Sequence, residues 1–245
     1  MNKSKIEWCD YSINPVKGLC PVTCKDNQGK EYCYARRMYK RFKWNPEIRY
    51  DETLLTYEHK PQFPDGSRVF VGSTMELFGH WVDPKWLNDI FHDCWSRYPK
   101  VTFIFLTKQP QELRKQSPFP RNCWIGCSAT NSEQAVRAMT ELDFIDARVK
   151  FLSLEPLLNN DGYTPWEYIA FSKVNWVIIG QQTPVKKATM PKISWVEEIV
   201  RTSDKAGIPV FLKNNLRDLL IPSALMNDIF WANEKAKLRQ EFPNS

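Results

Sequence analysis

Short apolar runs recur along the chain and alternate with segments of helical spacing, and this alternation constrains the fold more than any other feature of the sequence. Each run is about five residues long and almost continuously apolar, which suits a strand buried on both faces of a parallel sheet. The six runs are residues 68–72, 102–106, 123–127, 149–154, 176–180 and 209–212.

Three segments between these runs carry apolar residues at the i, i+3, i+4 spacing of an amphipathic helix. Residues 84–98 start with a proline suited to a first turn, residues 131–142 start with an Asn-Ser pair that can cap a helix, and residues 194–206 stop before Gly207. Alternating strands and helices predict an α/β fold, a partial or complete parallel (βα) barrel. We expect it to occupy residues 1–218, with residues 219–245 as a C-terminal helical tail packed on it.

The charge balance is moderately basic, with 34 Lys and Arg against 28 Asp and Glu and a net charge of +6. Such a surplus is compatible with a polyanionic partner such as nucleic acid. No apolar stretch approaches the roughly 18 residues of a membrane span, and the first residues lack the apolar core of a signal peptide. We therefore expect a soluble, cytoplasmic protein without a membrane partner.

Three of the seven cysteines, Cys20, Cys24 and Cys33, are clustered with the spacing C-x3-C-x8-C. Soft thiolates this close together point to a metal centre. Three cysteines leave one position open, as in an iron-sulfur cubane with one iron free for a ligand, whereas structural zinc takes four ligands. From the spacing alone, three interpretations stay open: a cubane, a zinc site completed by Cys9, and ordinary thiols.

The surrounding motifs add to the cysteine pattern. In chain order they are IEWCDYSINPVKGLC, CYARRM, VFVGSTMELFGHWV, FLTKQP, NCWIGCSATN, FLSLEPLL, WVIIGQQT and GIPVFLKNN. Together they resemble a phage-encoded family of unassigned function with a three-cysteine motif. That family is similar to the radical S-adenosylmethionine (SAM) superfamily and to spore photoproduct lyase-like enzymes. The resemblance extends from about residue 6 to residue 215.

This resemblance implies a barrel of radical SAM type with a [4Fe-4S] cluster held by Cys20, Cys24 and Cys33. S-adenosylmethionine would bind the open iron, and its reductive cleavage would give a 5′-deoxyadenosyl radical. The electron would come from a donor such as flavodoxin or ferredoxin. The superfamily usually has C-x3-C-x2-C, so the longer second gap is a departure, and we expect residues 26–29 to form a turn that returns Cys33 to the cluster.

Polar residues follow the predicted strands, where a parallel barrel carries its chemistry. The resemblance suggests Ser73, Thr74 and Glu76 beside the amino group of SAM, Lys108 at its carboxylate and Ser128 at its ribose. The alternative for Glu76 is a solvated loop carboxylate, and for Lys108 a solvated surface lysine. Glu155 is expected to bind cofactor or substrate unless it forms an ion pair with Lys213, and Tyr34 to pack near the cluster or adenine unless it is a core tyrosine.

A basic segment follows the third cysteine directly and interleaves its charges with Met38, Tyr39 and Phe42. Repulsion among these charges calls for an anionic partner, such as a nucleic-acid backbone, or for simple solvation. The predicted nucleic-acid contacts are Arg36, Arg37, Lys40, Arg41 and Lys43.

Two classes of function follow. The first is a radical SAM enzyme that modifies or repairs a nucleic-acid base, with no catalytic acid or base assigned. The second is a zinc-bearing nucleic-acid-binding module without catalytic activity. In either class Cys94 is expected in the core, and Cys123 and Cys127 are expected to be a buried pair and not an auxiliary metal site.

Overall fold

The computed structural model describes residues 3–52, 63–160, 166–221, 228–232 and 237–244. Its strands are β1 (Tyr11–Ile13), β2 (Val16–Lys17), β3 (Arg49–Tyr50), β4 (Arg68–Val71), β5 (Thr102–Thr107), β6 (Cys123–Ser128), β7 (Val149–Leu154), β8 (Trp176–Ile179) and β9 (Val210–Leu212). Its α-helices are α1 (Tyr34–Phe42), α2 (Pro84–Arg97), α3 (Ser132–Asp143), α4 (Ile193–Lys205) and α5 (Arg217–Leu220).

One sheet contains seven of these strands, in the order β1-β4-β5-β6-β7-β8-β9. The pairs β1–β4, β4–β5, β7–β8 and β8–β9 are all parallel. The strands β1 and β9 are the two ends of this order, and no pairing in the described part of the chain joins them. The predicted α/β class is confirmed, and the strand order is that of a partial and not a closed (βα) barrel.

Each of the six apolar runs forms a strand of the sheet, and the strands β6, β7, β8 and β9 are buried along their whole length. The seventh strand, β1, has no counterpart among the apolar runs. It is three residues long and only Ile13 in it is buried, so it carries too little apolar pattern to be recognised. A shorter antiparallel pair, β2 with β3, lies outside the main sheet.

The predicted helices are confirmed with shifts of one residue at their ends. The side chain of Asp83 accepts from the Lys85 amide at the start of α2, and Asn131 accepts from the Gln134 amide at the start of α3. These caps satisfy backbone donors that a helix leaves unpaired in its first turn. No helix in the described residues is both long and apolar enough to cross a membrane.

The chain divides into two compact units. The first contains residues 1–25, 31–126 and 145–148, and the second contains residues 26–30, 127–144 and 149–245. Aromatic rings fill the first core, where Phe91 packs on Phe105 and Phe119. In the second core, Trp176 contacts Phe151.

The C-terminal tail is described in part. Part of the predicted helical tail, residues 222–227, 233–236 and 245, lies outside the described residues. Within the second unit, the Leu212 amide donates to the Arg239 carbonyl at 2.8 Å, and the Glu241 amide donates to the Val210 carbonyl at 3.1 Å. The end of the tail therefore runs along β9 in an extended conformation, paired antiparallel at Phe211 and Gln240.

Candidate metal centre

A short hairpin connects the second and third clustered cysteines. The Tyr32 amide donates to the Cys24 carbonyl at 3.0 Å, and Lys25 forms an antiparallel bridge with Glu31. These contacts bring the two ends of the long gap side by side. The hairpin accordingly places Cys33 next to Cys24 despite the eight residues between them.

The tip of the hairpin is a turn organised by one carboxylate. Oδ1 of Asp26 accepts from the Gln28 amide at 3.0 Å and from the Lys30 amide at 2.9 Å. Gly29 has a φ of +74°, a left-handed conformation that glycine adopts without steric cost. The turn predicted at residues 26–29 is confirmed.

Cys33 lies directly before α1, and its thiol forms a hydrogen bond with that of Cys24. This hydrogen bond lowers the pKa of Cys33 to about 6, and the amides of Arg36 and Ala35 act in the same direction, whereas burial opposes them. A helix N-terminus favours a thiolate because its amides and dipole are positive. The shared proton stays with Cys24, whose pKa is raised first by the same hydrogen bond and then by burial.

Cys20 is positioned by a close approach of two backbone segments. Gly18 has a φ of +125°, and a β-carbon on it would lie 2.6 Å from the Glu47 carbonyl oxygen, so only glycine fits there. The Gly18 amide donates to the Tyr39 hydroxyl at 2.7 Å. Nη2 of Arg36 donates to the Cys20 carbonyl at 2.6 Å, which ties the first cysteine to α1.

The thiol of Cys20 reaches both the loop after β4 and the other cysteines. Burial raises its pKa, and the backbone amides of Glu76 and Val22, which bond the sulfur, oppose the rise. The charge of Cys33 also acts on Cys20, and that of Cys20 acts on Cys24. The three predicted ligands are therefore close enough to influence one another, and all belong to the first unit.

Glu76 is buried, and three protein groups bond its carboxylate. Oε1 accepts from the Thr107 hydroxyl at 2.7 Å and from the Phe78 amide at 3.1 Å, and Oε2 accepts from the Lys108 amide at 2.7 Å. Burial raises the pKa of Glu76, and these bonds oppose the rise. The alternative of a solvated loop carboxylate is wrong. An ionised carboxylate has about four acceptor sites, so most of its capacity is used to join the loop after β4 to the end of β5.

Lys108 is half-buried and its charge acts on Cys24. The hydrogen bond with Cys33 and burial are the largest influences on the pKa of Cys24, and both raise it. The positive charge of Lys108 comes next and lowers it. A cation is therefore placed beside Cys24, where a metal-bound thiolate would carry negative charge.

Ser73 and Thr74 follow β4, and a side chain that sequence reasoning missed holds both. Nδ2 of Asn14 donates to the Ser73 hydroxyl at 3.1 Å, and the Thr74 amide donates to Oδ1 of Asn14 at 2.9 Å. Asn14 comes directly after β1, the strand that the apolar runs do not reveal. The sequence feature that could have identified Asn14 is its position directly after a strand.

The residues around α1 divide into two groups. Arg36 points inward, with its Nε 3.3 Å from Oε1 of Glu31 in addition to its bond with Cys20. Tyr34 is 48% exposed, so the alternative of a core tyrosine is wrong. The other predicted nucleic-acid contacts are exposed, and they are Arg37, Lys40, Arg41 and Lys43.

Two predicted cofactor residues, Ser128 and Glu155, belong to the second unit. Oε2 of Glu155 lies 3.1 Å from Nζ of Lys213, and each side chain is only 18% exposed. The ion pair named as the alternative for Glu155 is confirmed. Ser128 is buried at the end of β6.

Three buried polar atoms in the second unit have no hydrogen-bond partner among the described residues. They are Ser153 Oγ, Gln181 Oε1 and Gln182 Oε1. Leaving such an atom unsatisfied costs on the order of 1–3 kcal/mol. Gln181 and Gln182 follow β8, and the sequence identifies them as polar residues at a strand end. It does not show that their Oε1 atoms lack partners in the described part of the chain.

The remaining cysteines of the first unit have other partners. Sγ of Cys9 donates to the Ser4 hydroxyl at 3.3 Å, and burial raises its pKa to about 11. Cys94 and Cys123 are fully buried and bond each other, which confirms a core position for Cys94. Cys127, in the second unit, is also buried.

No three His, Cys, Asp or Glu side chains in the described ranges are grouped so as to hold a single metal ion. A cubane attaches each cysteine to a different iron, so its ligands do not converge on one point.

Comparisons with known proteins give one match. No curated protein and no solved structure shows significant similarity to the chain. A model of a family described as a protein of unknown function, DUF5131, matches residues 3–217, which include the clustered cysteines, the basic segment and every strand of the sheet. The chain belongs to this DUF5131 family.

Proposed function

We propose that the chain is a radical SAM enzyme that holds a [4Fe-4S] cluster on Cys20, Cys24 and Cys33 and modifies or repairs a nucleic-acid base. The observation that carries the proposal is the hairpin that brings Cys24 and Cys33 together across an eight-residue gap. Cys24 and Cys33 are only half-buried, so the hairpin does not serve to bury them as small apolar side chains.

The donor set consists of three thiols, the ligand type that holds iron-sulfur clusters. Metal ligands must be deprotonated, and the surroundings of Cys33 already favour its thiolate. Cys9, the fourth cysteine considered for a zinc site, is bonded to Ser4 instead. When bound, the cluster and SAM would supply a 5′-deoxyadenosyl radical that abstracts hydrogen from the substrate.

The protein's own groups would bind and orient the cofactor. The ammonium of Lys108 is suited to the carboxylate of the methionyl group, and Glu76 fixes the Lys108 backbone through the amide. Ser73 and Thr74, held by Asn14, would offer hydrogen bonds near the amino group. Arg36 holds the Cys20 carbonyl and so fixes the loop of the first ligand.

A nucleic-acid substrate is supported by the exposed basic residues that follow Cys33 in the chain. The first turn of α1 contacts the Cys33 thiol, so a partner that binds further along this helix would lie near the proposed cluster.

The test is anaerobic reconstitution with iron and sulfide, followed by SAM and dithionite, with 5′-deoxyadenosine measured by mass spectrometry. We expect brown protein that forms 5′-deoxyadenosine, and no product from Cys24→Ala. Cys9→Ala is the matched control and should keep activity. Colourless protein that binds zinc and gives no product would contradict the proposal and favour a non-catalytic zinc module.

A further inference from the structure

The exposed part of residues 34–44 combines aromatic rings with positive charge. Tyr34, Phe42 and Trp44 are 48%, 49% and 45% exposed, and they are three of the eight exposed large apolar side chains in the described residues. We name this region the basic-aromatic surface, and its members are Tyr34, Arg37, Lys40, Arg41, Phe42, Lys43 and Trp44.

Two of the rings form a stack at the end of α1. The centroids of Phe42 and Trp44 are 5.6 Å apart and their planes differ by 21°. Lys43, between them, has a φ of +50°, which turns the chain so that its two neighbours lie side by side. Buried Tyr39 supports the indole from beneath, with its ring edge-on at 5.2 Å. The pair is therefore held in place by the fold while much of its ring surface stays open.

The charge around this stack has one sign. No Asp or Glu occurs between residues 32 and 46, while Lys40, Arg41 and Lys43 are exposed there. The guanidinium of Arg41 lies 5.2 Å from the Phe42 ring centroid. A partner that satisfies this surface must bring both negative charge and flat apolar rings. Nucleic acid has both, and its bases are open to stacking only where they are unpaired.

We propose that the basic-aromatic surface binds single-stranded nucleic acid. Unpaired bases stack on Phe42 and Trp44, and the neighbouring phosphates lie beside Lys40, Arg41 and Lys43. As a statement about the enzyme's substrate the inference rests on the proposed function, because it specifies the strandedness of that substrate. The binding itself needs neither the cluster nor SAM.

A membrane surface is the rival partner, since basic residues and aromatic rings also suit anionic headgroups. The helix α1 has nine residues, and its buried side chains, Ala35 and Tyr39, face the protein. That leaves little aliphatic surface to enter a bilayer, whereas two stacked rings suit bases.

The test measures the affinity of the full chain for a short labelled oligonucleotide, as single-stranded DNA, as single-stranded RNA and as a duplex of the same sequence. Vesicles containing phosphatidylserine form a fourth arm. We expect either single strand to bind more tightly than the duplex, and the two single-stranded arms to identify the preferred sugar. Phe42→Ala combined with Trp44→Ala should weaken single-strand binding by roughly 5- to 150-fold per lost stacked base.

Matched variants separate stacking from misfolding and from charge. Trp95→Ala removes another exposed indole, 59% exposed on α2, and should leave the affinity unchanged. Trp44→Phe keeps an aromatic ring against Tyr39 and should retain most of the affinity. Phe42→Ala alone removes one ring of the stack and leaves the contact between Tyr39 and Trp44 intact. Lys40→Ala with Lys43→Ala should reduce the slope of log K against log salt by about 0.7 per lost phosphate contact, while Lys85→Ala should not.

Equal single-strand affinities of the Phe42→Ala variant and the Trp95→Ala variant would overturn the inference. A preference for duplex, or binding to the vesicles alone, would do so as well. The assay is repeated with and without the reconstituted cluster. Single-strand binding without 5′-deoxyadenosine formation would refute the proposed function and leave this inference standing, and the reverse pattern would refute this inference alone.

Discussion

Cys33 and Cys94 carry the same side chain in opposite surroundings within the first unit. Cys33 is half-buried before α1, and the Cys24 thiol and the first amides of the helix lower its pKa. Cys94 is fully buried in α2, where burial and then the Cys123 thiol raise its pKa well above the ordinary value. We refer to Cys20, Cys24 and Cys33 as the loop cysteines and to Cys94 and Cys123 as the core pair.

This comparison shows that the charged neighbours of a thiol, more than its closeness to other thiols, distinguish a candidate set of metal ligands. Both groups bring thiols within hydrogen-bond reach of each other. The charge of Asp93 adds to the rise in the pKa of Cys94, whereas cations act on two of the loop cysteines, Arg36 on Cys33 and Lys108 on Cys24. A thiolate is stabilised by such neighbours and disfavoured in an apolar core, so the loop cysteines are suited to metal and the core pair to packing.

The largest expected effect is on iron content. Replacing any loop cysteine with Ala should abolish stable cluster incorporation after anaerobic reconstitution, because a cubane needs all three attachments. Replacing Cys94 or Cys123 with Ala should leave the iron content of the folded protein unchanged. Iron and sulfide analysis checks both, and equal iron loss from Cys9→Ala would show that the ligand set is wrong.

The next largest expected effect is a difference in the rate of alkylation between Cys33 and Cys9. With a pKa of about 6, Cys33 is mainly thiolate at neutral pH, whereas Cys9, with a pKa of about 11, is almost wholly protonated. In cluster-free protein, iodoacetamide labelling of Cys33 should level off above its pKa, while that of Cys9 should keep rising with pH. Peptide mapping by mass spectrometry follows each site, and equal rates at neutral pH would contradict the contrast.

Lys108→Ala should weaken SAM binding while leaving the cluster in place. Truncating one partner of a desolvated charge pair commonly costs about 2–5 kcal/mol, and half-burial points to the lower end, roughly 30-fold in Kd. Lys100→Ala is the control, since the Lys100 side chain is 74% exposed. Calorimetric titration of SAM into reconstituted protein measures the change, and an unchanged Kd would remove Lys108 from the site.

The smallest expected effect is on stability. Cys94→Ser places a hydroxyl in a fully buried position beside the Cys123 thiol, which is a weak hydrogen-bond partner, and should lower the free energy of unfolding by about 1–3 kcal/mol. Cys33→Ser in cluster-free protein should cost less, because Cys33 is half-buried beside backbone donors. Urea unfolding of both variants measures the two losses in free energy of unfolding. A larger loss for Cys33→Ser than for Cys94→Ser would contradict the prediction.

Much of the sheet could be predicted because its strands are continuously apolar. The run at residues 149–154 forms β7 without any change of its ends, whereas β1, with one buried residue, gave no signal. The turn at Asp26 and Gly29 could also be predicted, since its residue types determine local conformation. Strands and turns can therefore be predicted where the residues that determine them are close together in the sequence.

Side-chain direction was not predictable in the same way. Arg36 and Arg37 are adjacent in a basic segment, yet Arg36 turns inward to the Cys20 carbonyl and Arg37 is exposed. Glu76 follows a strand like Glu155, but Thr107 and backbone amides hold Glu76, and Lys213 holds Glu155. These partners are distant in sequence, and only the folded chain brings them together.

The most direct test of the central claim is the electron paramagnetic resonance spectrum of the reconstituted, dithionite-reduced protein with and without SAM. We expect about four irons per chain and a reduced-cluster signal that changes when SAM is added, because SAM would bind the iron that the loop cysteines leave open. Protein that takes up no iron, or a cluster signal that SAM leaves unchanged, would contradict the assignment of the loop cysteines as the centre of a radical SAM site.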